Sequence, residues 1–131
     1  CTNKCTMTET SSMYLGNFSA SSGGAISVLD YSEVTMNYVI FKYNNAIIAG
    51  GVMNIQTSNV AINGIIAEFN GIANYDTTTG SVTFKSSVVQ SGGVFSVNQS
   101  SILNVTGKLF KTISYNSIKR NYARKSSVAA F

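Results

Sequence analysis

The side chains able to do acid–base or metal chemistry are few. The carboxylates are Glu9, Asp30, Glu33, Glu68 and Asp76, and the chain contains no histidine. This excludes Ser-His-Asp and Cys-His catalysis, a histidine general base and a histidine-ligated metal. Two cysteines cannot form a four-thiolate zinc site. A glycosidase needs two carboxylates across one bond. Asp30 and Glu33 are close in sequence, but the positions matching them elsewhere are Thr57 to Asn59 and Gln99 to Ser101. No second acid is expected beside them, so no catalytic residue, cofactor or metal is expected.

Two other kinds of chemistry remain. Cys1 and Cys5 are separated by three residues, which is wrong for a redox CxxC pair. They are a disulfide candidate, which would imply an oxidising compartment. The other readings are two unpaired thiols, or pairing with another segment or chain. Three N-x-(S/T) sequons occur, at Asn17, Asn98 and Asn104. With 14 Asn and 31 Ser plus Thr, about three are expected by chance, so position must separate them. Asn104 falls outward between Leu103 and Val105, and Asn98 begins a turn. These two are the glycosylation candidates. Asn17 is expected to point inward and to stay unmodified.

The composition fits strands joined by turns. Of 131 residues 44% are hydrophobic and only 11% charged, with no proline and no tryptophan. Val, Ile, Ser, Thr and Asn dominate, a mixture that favours pleated surfaces and turn residues. No apolar run approaches the roughly 20 residues of a membrane span. No leader peptide is visible either, which fits a mature chain or a piece of one. Six of the nine basic residues lie in the last 24: Lys108, Lys111, Lys119, Arg120, Arg124 and Lys125. No nucleic-acid signature accompanies them, so they are read as a solvated rim and no nucleic-acid partner is expected.

These residues are positioned by a repeat. A glycine pair followed by alternating apolar residues appears as Gly23-Gly24-Ala25-Ile26-Ser27-Val28, Gly50-Gly51-Val52-Met53-Asn54-Ile55 and Gly92-Gly93-Val94-Phe95-Ser96-Val97. A degenerate copy, Ser126-Ser127-Val128-Ala129-Ala130-Phe131, follows. The period of two marks a strand with one buried face. A second strand comes next at Val34-x-Met36, Val60-x-Ile62 and Leu103-x-Val105, each followed by a polar or glycine turn. Then comes an aromatic-Asn step at Tyr43-Asn44, Phe69-Asn70 and Tyr115-Asn116. Asn17, Asn44, Asn70 and Asn116 are thus expected to form one internal column. The glycine pairs are spaced 27, 42 and 34 residues apart, which implies an insertion at 71–91.

Such spacing predicts one all-β domain over 1–131, a parallel β-helix of about four coils. Residues 1–22 would be an N-terminal partial coil and 126–131 a C-terminal one. Like residues would stack about 4.8 Å apart, with Phe95 over Met53 over Ile26. The Gly-Gly-Ala-Ile motif at 23–26 and the Phe-Lys-Tyr-Asn motif at 41–44 resemble the GGA(I/V/L) and FxxN repeats of polymorphic outer-membrane proteins. They are also similar to the pectin-lyase-like repeats of microbial and protist surface proteins. The resemblance implies a right-handed β-helix used in adhesion or as a surface scaffold, without catalytic residues.

The expected function is therefore a non-enzymatic extracellular or cell-surface β-solenoid. It would be structural or adhesive, stacking head-to-tail into a filament or forming part of a longer surface protein. A carbohydrate-binding or carbohydrate-processing β-helix is the alternative, with Asp30, Glu33 or Asp76 meeting in a cleft. Residues Tyr75, Asp76 and Thr77–Thr79 of the insertion could contact sugar. The competing reading is that Val82-Thr83-Phe84 and Val88-Val89 merely add strands to the wall.

Overall fold

The computed structural model describes residues 1–71, 73–75, 78, 82–84, 93–106, 109–110, 113–114, 116–119 and 129–130. Regular structure in these residues is all strand. In chain order the strands are β1 (Thr6–Thr10), β2 (Met13–Leu15), β3 (Phe18–Ser19), β4 (Ile26–Val28), β5 (Glu33–Lys42), β6 (Asn45–Ala46), β7 (Met53–Gln56) and β8 (Asn59–Glu68). They continue as β9 (Ala73–Tyr75), β10 (Val82–Phe84), β11 (Phe95–Asn98), β12 (Ile102–Thr106), β13 (Leu109–Phe110), β14 (Ile113–Ser114), β15 (Asn116–Lys119) and β16 (Ala129–Ala130). No helix among the described residues is long and apolar enough to cross a membrane.

The repeat becomes parallel sheets. The strands after the glycine pairs lie side by side in the order β16-β11-β7-β4. Ile26 pairs with Met53, Met53 with Phe95, and Phe95 with Ala129. A second parallel sheet runs β1-β5-β8-β12, with β2 added to β5 and β15 to β8. Thr6, Glu33, Asn59 and Ile102 are successive partners there. A third, small parallel pair joins β3 to β6. The insertion behaves differently. Its described strands β9 and β10 pair antiparallel with each other, Val82 opposite Tyr75; Val88 and Val89 lie outside the described residues.

One expected feature changes form. The corner anticipated after Met36 and Ile62 lies inside a strand, because β5 and β8 each run ten residues without ending. Tyr38 (φ 57°) and Gly64 (φ 83°) are left-handed there. This single residue shifts the inward phase. Val34 and Met36 face in before it, and Val39 and Phe41 after it, all at most 2% exposed. An irregularity of this kind bends a strand without breaking its ladder.

The inward residues pack by column. Val34 lies beside Val60, Met36 beside Ile62 and Phe41 beside Ala67, and all are buried. Each large side chain so placed contributes about 1.5–3 kcal/mol. Phe41, facing the small Ala67 on one side, stacks on Tyr14 on the other, with ring centroids 5.2 Å apart.

The glycine pairs have two separate causes. Gly23 and Gly50 adopt φ values of +70° and +61°, which disfavour any other residue. Gly24 and Gly51 are needed for space, since a Cβ at either would strike the carbonyl of Gly51 or Gly93 in the adjoining layer.

Candidate functional site

The polar side chains divide into a set that binds the layers together and a set that faces solvent. The first set begins with the asparagines at the aromatic-Asn step. The Asn17 backbone N–H and Nδ2 both donate to Asn44 Oδ1, at 3.1 and 2.9 Å. The Asn44 N–H and Nδ2 donate in turn to Asn70 Oδ1, at 2.9 and 3.0 Å. The second amide proton of each inner residue reaches the neighbouring strand end, Asn44 to the Tyr14 carbonyl and Asn70 to the Phe41 carbonyl, both at 2.9 Å. Asn44 and Asn70 are fully buried. Burial of an amide is tolerated when its donors and acceptor are matched in this way.

Two expectations about this column need correction. Asn116 is not in it: β15 pairs Asn116 with Ile65 and Lys119 with Glu68. The offset from β8 rises from 43 residues at β12 to 51 at β15, across the antiparallel pair β13–β14 that lies between them, so the aromatic-Asn signal at Tyr115-Asn116 is displaced from the corner. Asn17 is exposed rather than interior, because it stands at one end of the column, although its amide is engaged.

A second ladder has no counterpart among the sequence expectations. The backbone N–H groups of Cys5, Ser32 and Ser58 donate to the hydroxyls of Ser32, Ser58 and Ser101, at 3.1, 3.1 and 3.2 Å. Each hydroxyl donates back into its own turn: Ser32 to the Leu29 carbonyl, Ser58 to that of Gln56 and Ser101 to that of Asn98. The signal was present as a serine two residues before the first apolar position of the second strand: Ser32-x-Val34, Ser58-x-Val60, Ser101-x-Leu103. Cys5 occupies the same position in the first layer. Its sulfur is bonded to Cys1, with S–S 2.04 Å.

The first layer also places a polar pair in core columns. Glu9 is the register partner of Met36, and Tyr14 of Phe41. The Tyr14 hydroxyl donates to Glu9 Oε2 at 2.6 Å. Burial pushes the Tyr14 phenol well above its usual range, and the hydrogen bond to Glu9 and that residue's charge add to it.

The other carboxylates have separate settings. Glu68 pairs with Lys42 at 3.2 Å on the outer face, an arrangement worth at most about 1 kcal/mol when partly exposed. Asp30 is exposed in a left-handed turn position, and Glu33 is exposed at the start of β5. Asp76, with Thr77 and Thr79, lies outside the described residues; Thr78 is exposed. Among the described residues no three His, Cys, Asp or Glu side chains converge as metal ligands. Of the C-terminal basic residues, Lys108, Lys111, Arg120, Arg124 and Lys125 lie outside the described residues, and Lys119 is placed in β15.

The second polar set covers the outside of β5, β8 and β12. A shallow open groove of about 310 Å³ lies there, lined by Glu33, Thr35, Asn59, Ala61, Ile102 and Asn104. The strand register explains it. Glu33, Asn59 and Ile102 form one outward column, and Thr35, Ala61 and Asn104 the next. Ala61 is the short side chain between longer ones and makes the floor. The sequon residue Asn104 stands on its rim and is exposed, as is Asn98, whose Nδ2 donates to Ser96 Oγ at 2.8 Å.

No protein-family model matches the chain, and no curated protein or solved structure matches it.

Proposed function

We propose that the parallel sheets are the walls of a right-handed β-solenoid of about four coils, serving as a non-enzymatic extracellular scaffold with a structural or adhesive role. The observation that supports this best is the use made of polar groups. Asn44, Asn70, Ser32 and Ser58 direct their hydrogen bonds between layers or into their own turns, leaving none to act on a substrate. Right-handed crossover between parallel strands is the strong preference of polypeptides. The Cys1–Cys5 disulfide favours an oxidising location such as the cell exterior.

Of the two arrangements for a scaffold, head-to-tail filament or part of a longer surface protein, Glu9 speaks against the first. A copy stacked directly on β1 would bury its carboxylate in the column of Met36 and Ile62. An inward charge on an edge strand opposes such addition. Negative-stain microscopy with sedimentation analysis tests both points. The expected result is monomeric particles, about 19 Å along the coil axis for four coils. A Glu9→Leu variant is expected to associate end to end. A wild-type chain that is helical by circular dichroism would overturn the scaffold reading.

A further inference from the structure

We infer that the open edge of β2 and the corner after it dock a short extended segment of a separate protein chain, one that ends in an aromatic residue followed by asparagine. The inference goes beyond the scaffold reading and uses only the parallel layering of the strands.

Three open features meet there. The first is main chain. The Ile40 N–H donates to the Ser12 carbonyl and the Gly16 N–H to the Lys42 carbonyl. Hydrogen-bonding direction alternates along a strand, so the N–H and C=O groups of Met13 and Leu15 point away from β5. On that side β2 has no partner strand among the described residues. Such a row is a template for a further strand. The second feature is a missing rung. The Gly16 N–H bonds to Lys42 as the Tyr43 N–H bonds to Glu68 one layer on, so Gly16, Tyr43 and Phe69 share one outward column. Tyr43 and Phe69 stack their rings there. At Gly16 no atom among the described residues lies within 4 Å of where a Cβ would stand. An aromatic ring on a neighbouring strand can fold over a glycine left bare in this way. The third feature is an unused acceptor. Each inner corner asparagine receives at its Oδ1 the N–H and Nδ2 of the layer before, Asn70 from Asn44 and Asn44 from Asn17. Asn17 Oδ1, at the end of that series, has no donor among the described residues. An incoming asparagine would supply both donors.

The surroundings set the rest of the segment. Met13, Leu15 and Phe18 are 60, 58 and 60% exposed, an apolar rim that selects an uncharged, apolar strand. Glu9 sets the length. A segment that ran on across β1 would bury the Glu9 carboxylate in the column of Met36. A whole further coil and a second copy stacked in register are both disfavoured for that reason, whereas about six residues lying beside positions 12 to 17 avoid the charge.

The test titrates the full 131-residue chain, ¹⁵N-labelled, with the peptide acetyl-Thr-Val-Ala-Val-Phe-Asn-amide. Saturable amide shifts are expected at Met13, Leu15, Gly16 and Asn17, and none at Ile102 or Asn104 in β12. Replacing the peptide's Phe by Leu is expected to weaken binding about tenfold, and replacing its Asn by Ala about fivefold. On the protein, Leu15→Lys changes an exposed side chain of the edge and is expected to weaken binding about tenfold. The altered peptides keep the test decisive if that variant fails to fold. The inference is overturned if the parent peptide gives no saturable shift at these amides, or if both altered peptides bind as the parent does. It is also overturned if dilution of the chain without peptide moves the same amides, which would make a second copy the occupant. Microscopy, sedimentation and circular dichroism of the chain alone test the scaffold reading, so a failure of peptide binding does not bear on it.

Discussion

Asn44 and Asn59 are the same residue type, 15 positions apart, and do opposite things. Asn44 is buried at a corner with its backbone N–H, both amide protons and carbonyl oxygen hydrogen-bonded across layers. Asn59 begins β8 on the outer face, exposed. The difference comes from the backbone. A left-handed residue precedes each buried ladder asparagine, Tyr43 (φ 58°) before Asn44 and Phe69 (φ 56°) before Asn70, and turns the amide inward. The aromatic rings of Tyr43 and Phe69 stack outside, 5.4 Å apart. Asn59 follows the pleat of a regular strand start. A polar side chain at such a corner is therefore aimed between layers, where one at a regular strand start faces solvent.

The comparison can be broken most sharply at its inner member. Asn44→Ala would leave the Asn17 donors and the Tyr14 carbonyl without partners, and is expected to cost about 2–4 kcal/mol in urea unfolding. A loss below 0.5 kcal/mol would show that the ladder does not hold the layers. Next comes the disulfide. Reducing Cys1–Cys5 closes no long loop, so about 2 kcal/mol is expected, read as a lower thermal midpoint in dithiothreitol. Ser58→Ala removes one rung of the hydroxyl ladder and leaves the buried Ser32 N–H without its acceptor, and about 1–2 kcal/mol is expected by the same unfolding assay. Asn59→Ala on the outer face is expected to change stability by less than about 0.5 kcal/mol. A cost as large as that of Asn44→Ala would erase the distinction.

Titration sharpens the picture at the edge layer. The folded state holds the Tyr14 proton more tightly than the unfolded chain does, because of burial and then Glu9. The unfolded chain releases it first as pH rises, so stability falls above the ordinary tyrosine value near 10. Tyr14→Phe is expected to flatten the alkaline limb of the stability–pH profile. An unchanged limb would show that another group carries it.

Much of the fold was legible because the repeat is read by counting. The glycine pairs, the alternation after them and the Asn17–Asn44–Asn70 column all follow from spacing. Asn116 misled because it carries the right local motif at the wrong register, and motif alone cannot report an insertion upstream of it. The serine ladder escaped notice because serine is common in this chain and a column of it has no hydrophobic period. The outer groove was illegible because it arises from differences in side-chain length between columns, at Ala61 above all, and these appear only once the strands are aligned.

The turn before the serine ladder varies in length. Asp30 and Tyr31 are both left-handed, as are Gln99 and Ser100, whereas the middle copy has Thr57 alone. The layer offset accordingly falls from 27 residues at Val28 and Ile55 to 26 at Glu33 and Asn59. Yet the pairing resumes without slip, because Ser58 still meets both Ser32 and Ser101. Evolution can thus lengthen or shorten this corner by a residue while the next strand is reset to its place. Such a chain can drift in sequence length, copy by copy, and remain the same object.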